Sequence, residues 1–459
     1  MAENGNRAIH ARIRDAGGTL YPVSALPMSR DEWRRHFGPA FVRLPAAKQE
    51  FDPGNVLTPG YAIFRGGPPC PCGGDIPAGD CDMIPTDYLA AARRLEPLVA
   101  ELRDRFDADR QLPRRLVDEL HEAGLFRMWL PRAVGGAELA PLAFLEVAEE
   151  LAQQDGSVGW CVTIAAGSGR LAGALDEEAA RSVFGDGEGV LVGALYAAGR
   201  AVTAPGGYRV TGRWSYGSFI DYADWVVGGC AVDDGGERFC LFPRREVEVF
   251  DTWDVGGLRG TASNDYAVSD LFVPEELTIP LVDYQPPPRR DGPLYALPMT
   301  SAFASSIAMV AIGIARAAVD VLAGIAAEKR AAGSSVVLRD NALVQVDVAS
   351  AEALLGSARA YLLSELGRMW ESTVAGRTIG VRELAKVKLA ACHATRCAIE
   401  AVDLVYQSAG GAALRAGTRL ERCFRDVHVV GQHARLGRLG TLEPVGRVLL
   451  GLSPGAARL

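Results

Sequence analysis

The length, composition and charge of the chain define a broad class of protein. It has 459 residues, of which 49% are hydrophobic and 23% are charged, and its formal net charge is −8. These proportions are typical of folded soluble proteins and exclude extensive disorder. The sequence has no run of basic residues interleaved with aromatic residues, so nucleic acid is not an expected partner. The length exceeds what one hydrophobic core usually supports, and it predicts several domains.

The sequence has no segment that matches a membrane span, which needs about 20 uninterrupted apolar residues. Its N-terminus includes Glu3, Asn4 and Asn6, and it therefore lacks the apolar core of a signal peptide. We accordingly expect a cytoplasmic protein.

Nine cysteines are present, which is an odd number. Six of them lie singly in apolar or helical segments, as expected for reduced thiols in the cytosol. Cys70, Cys72 and Cys81 share one stretch rich in proline and glycine. A structural zinc site needs four ligands, and the sequence offers no fourth cysteine or histidine nearby, so we predict no metal site.

The front of the chain differs from the rest. Residues 1–64 form one segment, and residues 65–86, which include RGGPPCPCGGDIPAGDCD, have the composition of a linker. Within the first segment, residues 19–64 contain WRRHFG followed by K-x-x-F-D-P-x-N-V-L-T-P-G, and they resemble the C-terminal tail of cytokinin dehydrogenase-type FAD-linked oxidases. Because only the tail is present, this segment cannot catalyse that oxidation alone. We interpret the front end either as a merged reading frame or as a small ordered appendage.

Three further domains are predicted from the apolar periodicity. Residues 87–188 have apolar side chains at three-and-four spacing, which predicts an N-terminal helical domain. Residues 189–282 change to a period of two with frequent turn residues, which predicts a compact antiparallel β domain. Residues 283–459 return to long helices rich in alanine, which permits close helix packing in a C-terminal bundle. The GDGEG sequence between the first two domains is predicted to be a turn.

Five phrases resemble the acyl-CoA dehydrogenase superfamily, and within it the two-component flavin-dependent monooxygenases called group D. They are EAGLFRMWLPRAVGGAEL, QQDGSVGW, GGYRVTGRWSYGSFIDYADW, WDVGGLRGTASNDYAVSDLFVPEE and LERCFRDVHVVGQHARLGRLG. The resemblance covers residues 87–459. It implies a mainly α fold with a central β domain, the acyl-CoA dehydrogenase-like fold, in which a helical domain, a β barrel-like domain and a four-helix bundle follow one another. Relatives assemble through the bundle, so a homotetramer is expected.

The two branches of the superfamily differ at one position. A dehydrogenase needs a carboxylate base to remove a proton next to a thioester carbonyl. Members of that branch commonly carry this glutamate shortly after an Arg-Asp pair, which here is Arg425 and Asp426. No carboxylate follows until Glu443, and His433 lies in the expected neighbourhood. The missing carboxylate favours the monooxygenase branch, although another subgroup takes its base from an earlier helix.

His433 is the catalytic residue that the resemblance implies. In the monooxygenase branch, reduced flavin reacts with oxygen, and the reaction needs proton delivery and often a base that activates the substrate. An imidazole, with an ordinary pKa of about 6.5, can both give and take a proton near neutrality. The alternative is a histidine that only packs or caps a helix. His428 is expected to lie at the surface or to pack.

Ser218 is the second catalytic candidate. It occupies the position in GRWSYGSF where relatives place a serine or threonine that faces the reactive edge of the flavin. Such a donor would hold the oxygen that develops charge. The alternative is a turn serine that bonds its own backbone beside Gly217. Tyr216 and Phe219 are expected to pack.

Further flavin contacts are implied by the resemblance. Trp160, in GSVGW, is expected at the end of a helix beside the flavin ring, with ordinary core packing as the alternative. A loop of small residues before a strand offers amides and hydroxyls to flavin phosphate or ring atoms, with a structural turn as the alternative. The loop residues are Arg259, Gly260, Thr261 and Ser263.

The expected cofactor is reduced FMN or FAD, and molecular oxygen is the expected co-substrate. The sequence has no G-x-G-x-x-G between a strand and a helix, so nicotinamide binding is not expected and a separate NAD(P)H:flavin reductase must supply the reduced flavin. The implied reaction is hydroxylation of a small aromatic or heteroatom-bearing compound. Two other functions stay open on the sequence: an acyl-CoA dehydrogenase with a base elsewhere, such as Glu365, and a non-catalytic flavin-binding scaffold.

Overall fold

The described part of the chain begins at Pro85, inside the predicted linker of residues 65–86. A computed structural model of the chain separates residues 1–82 from residues 83–459. The predictions for the front end, including Cys70, Cys72 and Cys81, lie outside the described residues. The structure describes residues 85–185, 188–233, 235–282, 285–330, 335–436 and 442–455.

The first domain is made of helices, and capping side chains set where two of them begin. Asp155 ends one helix and caps the next, since its carboxylate accepts a hydrogen bond from the Ser157 amide at 2.9 Å. Asp176 caps a later helix by accepting from the amide of Ala179. The helices are α1 (Pro85–Arg94), α2 (Glu96–Asp109), α3 (Arg114–Glu122), α4 (Pro141–Gln154), α5 (Gly156–Gly169) and α6 (Glu177–Phe184).

A seven-stranded sheet follows, in the order β5-β6-β2-β1-β3-β4-β7. Its core contains Trp214, which donates to the carbonyl of Gly229 at 2.8 Å and stacks on Tyr266 with ring centroids 5.4 Å apart. The strands are β1 (Leu191–Ala204), β2 (Gly207–Gly217), β3 (Trp225–Val232), β4 (Glu237–Pro243), β5 (Glu248–Phe250), β6 (Asn264–Pro274) and β7 (Thr278–Pro280).

The sheet corrects one expectation. The β domain was predicted to be antiparallel, but β1 and β3 pair in parallel. The reason is the connection: β2 folds back on β1 as a hairpin, and the chain then crosses to the other side of β1 before β3 begins. In the described order β5 and β7 are the edges of an open sheet.

The C-terminal half is a bundle around one apolar helix. In it, α8 packs against α4 from the first domain and against α9, α10 and α11. At Gly313, α8 lies so close to α4 that a Cβ added to the glycine would be 2.4 Å from the Glu149 carbonyl oxygen. The helices are α7 (Pro293–Ala296), α8 (Met299–Glu328), α9 (Ala342–Val374), α10 (Val381–Ala409), α11 (Arg419–Gly431) and α12 (Leu442–Leu449).

Helix α8 is an exception to the expectation that no segment matches a membrane span. It has 30 residues, its most apolar window has a mean hydropathy of 1.9, and by length and composition it could cross a bilayer. However, 72% of that window is buried inside the protein. The core helix of a soluble protein has the same composition, since a helix that is apolar all round is buried. The burial of α8 therefore accounts for its hydropathy.

Candidate active site

Three hydroxyl side chains and one indole form a buried hydrogen-bonded chain, which we call the hydroxyl cluster: Trp160, Ser218, Thr261 and Ser263. The indole Nε1 of Trp160 donates to Ser218 Oγ at 3.0 Å. Ser218 Oγ lies 2.7 Å from Ser263 Oγ, which in turn lies 2.7 Å from Thr261 Oγ1. All four residues are buried. Four residues predicted from three phrases of the sequence are thus joined by hydrogen bonds.

The register of the sheet brings the cluster together. Strand β2 ends where β6 begins, because Gly217 pairs with Asn264. The residues just outside this pair, Ser218 and Ser263, are therefore neighbours. The amide of Phe219 donates to the carbonyl of Thr261 at 2.8 Å and ties the two loops together.

The backbone around the cluster is strained. Tyr216, Phe219, Leu258 and Ala262 all have φ between 43° and 71°, a region that side chains other than glycine seldom adopt. Such strain persists only where surrounding contacts enforce it, and it concentrates at functional sites. The expected packing of Tyr216 is wrong, since its side chain is 68% exposed, whereas Phe219 is buried as expected.

His433 lies directly after α11, in a turn that points its ring at Trp160. The two ring centroids are 5.7 Å apart and the rings meet edge to face. Its Nδ1 accepts from the Arg435 amide at 3.3 Å. Burial, followed by the positive charges of Arg435 and Lys388, lowers the pKa of His433 to about 4. The imidazole is therefore neutral at neutral pH, with its proton on Nε2 because Nδ1 is the acceptor.

The structure shows the surroundings of Ser218, Trp160 and His428, for which the sequence left more than one role open. The Ser218 hydroxyl bonds Trp160 and Ser263, so it is not occupied with its own backbone. Trp160 lies in the second turn of α5, and its expected place at a helix end is wrong because Asp155 starts a new helix there. His428 bonds the carbonyl of Phe424, as expected for a packing residue.

The other two residues of the loop, Arg259 and Gly260, take no part in the hydroxyl cluster. The guanidinium of Arg259 donates to the carbonyls of Asp107 and Val255 and pairs with Asp254. A Cβ on Gly260 would lie 3.0 Å from the Cβ atoms of Phe106 and Ser157. These two residues join the loop to α2 and α5, outside the hydroxyl cluster, and their contact with flavin stays a prediction.

Asp426 is a residue of the site whose role the sequence did not reveal. It is buried, and its Oδ1 accepts from the Leu258 amide at 2.6 Å. The carbonyl of Leu258 in turn accepts from Thr261 Oγ1 at 2.9 Å. The pKa of Asp426 is raised to about 8, mainly by burial and to a lesser extent by the negative charge of Asp155. Asp426 thus links α11 to the hydroxyl cluster, whereas Arg425 pairs with Asp107.

The alternative base lies in a different environment. Glu365 is on α9, and its carboxylate pairs with Arg368 three residues later on the same helix. Among the described residues, no carboxylate hydrogen-bonds to His433 or to the hydroxyl cluster. No group of three or more metal-ligating side chains occurs within the described ranges either. All six cysteines in this part of the chain are buried, and none of them forms a disulfide with another described residue.

The cluster fits the polar edge of a flavin ring, where N–H and carbonyl groups alternate. The Thr163 hydroxyl is buried and finds no hydrogen-bond partner among the described residues. It follows Trp160 by three residues on α5, so both side chains lie on the same side of the helix. A buried hydroxyl without a partner, on the same side of α5 as Trp160, is the kind of feature that a polar ligand would satisfy.

Comparisons with known proteins identify, for most of the chain, the same superfamily that the sequence phrases resemble. Residues 89–177 match the acyl-CoA dehydrogenase N-terminal domain family, and residues 305–437 match the corresponding C-terminal domain family. Residues 4–64 match the FAD and cytokinin binding family of cytokinin dehydrogenase 1. The indole-3-acetate monooxygenase of Pseudomonas putida is 33% identical over 380 residues, which cover 81% of this chain and 96% of that protein.

The chain belongs to the flavin-dependent monooxygenases of the acyl-CoA dehydrogenase superfamily. The oxygenase subunit HsaA of Rhodococcus jostii is 30% identical to this monooxygenase over 74% of the chain and 93% of that protein. Among solved structures, XiaF from Streptomyces sp. in complex with FADH2 and glycerol has a TM-score of 0.77 and 26% identity, covering 82% of this chain and 98% of XiaF. The predicted fold, enzyme class and use of flavin are confirmed.

Proposed function

We propose that this monooxygenase is an oxygenase component that uses molecular oxygen and reduced FAD to hydroxylate a small aromatic compound. The observation that carries the proposal is the neutral His433 imidazole 5.7 Å from Trp160, whose indole bonds Ser218 in the hydroxyl cluster. Relatives named indole-3-acetate monooxygenase and resorcinol hydroxylase oxygenase component support an aromatic substrate. Names such as oxygenase subunit and oxygenase component support a separate reductase.

The choice of FAD over FMN rests on two relatives. The resorcinol hydroxylase relative is named as FADH2-dependent, and XiaF is described with FADH2. Relative rates with photoreduced FAD and FMN, each added at saturating concentration, test the choice. A rate with FMN equal to that with FAD would contradict it.

The hydroxyl cluster and His433 have separate roles in the proposal. Reduced flavin, when bound, supplies the electrons that activate oxygen. The Ser218 hydroxyl, oriented by Trp160 and Ser263, donates a hydrogen bond at the reactive edge of the ring. Because His433 Nδ1 accepts from the Arg435 amide, the neutral imidazole carries its proton on Nε2, where it can give that proton and later take it back. Burial of the cluster excludes water from the reacting centre.

The assembly and location form the remaining part of the proposal. We expect a cytoplasmic homotetramer, and the tetramer is expected from the bundle through which this fold assembles. Light scattering of the purified full chain tests the tetramer. A monodisperse dimer or monomer with full oxygenase activity would contradict it.

The decisive experiment compares the amount of hydroxylated product with the amount of hydrogen peroxide, which forms when oxygen is reduced without hydroxylation of the substrate. The full chain is mixed with photoreduced FAD, oxygenated buffer and indole-3-acetate or resorcinol, and both the hydroxylated product and hydrogen peroxide are measured. We expect His433→Asn and Ser218→Ala to lower product by at least about tenfold and to raise peroxide, since proton transfer and a positioned donor each contribute factors of that size or more. His428→Asn, which replaces a histidine on α11 that contacts Asp403, is the control.

Two outcomes would contradict the proposal. Reoxidation of flavin with the rate of free flavin and no product from any aromatic probe would indicate a non-catalytic scaffold. Bleaching of oxidised flavin by an acyl-CoA under anaerobic conditions would instead indicate a dehydrogenase.

A further inference from the structure

A buried ion pair joins α11 to the start of α5. Arg422, on α11, is 4% exposed, and Asp155, the residue that caps α5, is 5% exposed. The Nη1 of Arg422 lies 3.2 Å from Asp155 Oδ2 and also donates to the Arg103 carbonyl at 2.6 Å. The other carboxylate oxygen, Oδ1, accepts from the Ser157 amide at 2.9 Å. Asp155 is thus held from two sides, by the first turn of α5 and by a guanidinium of α11.

Asp155 also faces a second cation. Arg103 Nε lies 3.8 Å from Asp155 Oδ2, and Arg103 Nη2 donates to the Gln154 carbonyl at 2.9 Å. Burial raises the pKa of Asp155, and the positive charges of Arg422 and Arg103 oppose that rise. A buried charge that loses its partner is strongly destabilising, so the carboxylate and its guanidinium depend on each other.

The ion pair lies close to the indole of the active site. Trp160 follows Asp155 by five residues, which is a rise of about 7.5 Å along the helix. Its Nε1 donates to Ser218 Oγ at 3.0 Å, and its ring meets that of His433 edge to face. Because a hydrogen-bonded helix moves as one body, a shift of the first turn of α5 also moves the indole. The hydrogen bond to Ser218 therefore depends on where Asp155 is held.

The same helix, α11, holds the opposite side of the hydroxyl cluster. Asp426 follows Arg422 by four residues, so the two side chains lie on one face of α11. Asp426 Oδ1 accepts from the Leu258 amide, and the Leu258 carbonyl accepts from the Thr261 hydroxyl. A Cβ on Gly156 would lie 3.0 Å from Asp426 Oδ2, so α5 and α11 are in close contact here. One face of α11 thus contacts both α5 and the loop of the hydroxyl cluster.

We propose that the Asp155–Arg422 ion pair is a positioning device for hydroxylation, which directs the Trp160 indole at Ser218 and so orients that hydroxyl. Within the described ranges neither residue hydrogen-bonds to the hydroxyl cluster, so both are positioning residues. The proposal rests on the proposed function, since an oriented Ser218 hydroxyl matters where it faces the reacting edge of the flavin. When the indole is misdirected, the two electrons of the reduced flavin end in hydrogen peroxide rather than in product.

A neutral pair tests the proposal in the full chain. The double variant Asp155→Asn, Arg422→Met removes both charges together, so that neither is left buried without a partner. Asparagine caps a helix about as well as aspartate, so α5 keeps its first turn. Arg422→Lys keeps the charge without the planar fork, and it serves in the same tests if the neutral pair does not fold. Arg359→Met is the matched control, because Arg359 pairs with Glu149 at 2.8 Å between two other helices, α9 and α4.

The first readout requires neither flavin nor turnover. Near-ultraviolet circular dichroism reports aromatic side chains in fixed surroundings, and the difference between wild type and Trp160→Phe isolates the band of this indole. We expect that band to be lost from the neutral pair and retained in Arg359→Met. Thermal unfolding of each variant checks that it folds.

The second readout is the ratio of hydroxylated product to hydrogen peroxide, measured with indole-3-acetate or resorcinol at saturating reduced FAD. We expect the neutral pair to lower this ratio by at least about tenfold, since a small misplacement of a positioned donor costs a factor of that size or more. In the Trp160→Phe background the neutral pair should cause no further loss, because it acts through this indole. Arg359→Met should keep the wild-type ratio.

An unchanged Trp160 band or an unchanged product ratio in the neutral pair would overturn the proposal. A further loss in the Trp160→Phe background would do the same, since the ion pair would then act by another route. The proposed function can fail separately. If the wild type gives no product from either aromatic probe, the monooxygenase reaction on these substrates is removed, and the circular dichroism of the neutral pair alone decides whether the ion pair directs the indole.

Discussion

His433 is a single residue whose ionisation depends on its surroundings. Its pKa in the folded protein, about 4, lies below the ordinary value of 6.5, since burial and two neighbouring cations oppose protonation. Between these values the unfolded chain binds a proton that the folded chain does not. The contribution of this group to stability is therefore present above pH 6.5 and is lost as the pH falls towards 4.

This difference predicts a pH-dependent effect of mutation. We expect His433→Gln to lose less stability than the wild type when the pH is lowered from about 7 to about 5, because the variant has no imidazole to protonate on unfolding. The measurement is the urea midpoint at both pH values. His428→Gln is the control, and an identical loss of midpoint in wild type and His433→Gln would contradict the lowered pKa.

Asp426 predicts a contrast between two substitutions at one position. Its pKa, raised to about 8, keeps it largely protonated near neutrality, and its Oδ1 accepts from the Leu258 amide. Asp426→Asn retains an acceptor oxygen without charge, so we expect near wild-type affinity for FAD. Asp426→Ala leaves a buried amide without an acceptor and frees the loop that carries Thr261. We expect its dissociation constant for FAD to rise by about tenfold.

The measurement is quenching of FAD fluorescence on titration with each variant. Equal affinities of Asp426→Ala and wild type would show that α11 does not position the loop. A large loss in Asp426→Asn alone would show that the ionised carboxylate is the form that matters.

At the level of elements, α8 and α4 approach each other closely at Gly313. Gly313→Ala would place a Cβ 2.4 Å from the backbone oxygen of Glu149, and backbone cannot move aside as a side chain end can. We expect the two helices to separate and the thermal midpoint to fall, since overpacking of a core typically costs about 1–3 kcal/mol.

Gly324 offers a control on the same helix. A Cβ there meets nothing within 4 Å. Because alanine is the better helix former, Gly324→Ala should be neutral or stabilising by up to about 1 kcal/mol. A midpoint for Gly313→Ala equal to that of Gly324→Ala would show that the packing of α8 on α4 is looser than described.

At the level of the whole molecule, the division between residues 82 and 83 predicts an independent oxygenase. The matches to the N- and C-terminal dehydrogenase domains lie within residues 89–437, whereas the cytokinin dehydrogenase match covers residues 4–64. We expect a chain that starts at Met83 to keep the product yield and coupling of the full chain. Loss of either, at unchanged FAD affinity, would indicate that the front end covers the active site or pairs subunits.

The sequence alone determined the features that depend on neighbours along the chain. Apolar periodicity indicated the helical and strand regions, although it did not show the division at Asp155, where a capping carboxylate starts α5. The missing glutamate after Arg425 and Asp426 indicated the branch of the superfamily. His433, Ser218 and Trp160 were each recognisable from a local motif.

Only the tertiary structure decided which of these residues meet. Ser218 and Ser263 are 45 positions apart, and the register of β2 on β6 makes them neighbours. The parallel pairing of β1 with β3 likewise depends on a chain crossover that no local pattern specifies. The burial of Lys388 also follows from how α10 packs against α8, α9 and α11. Long-range packing sets these relations, because hydrogen bonds and charges act through space rather than along the chain.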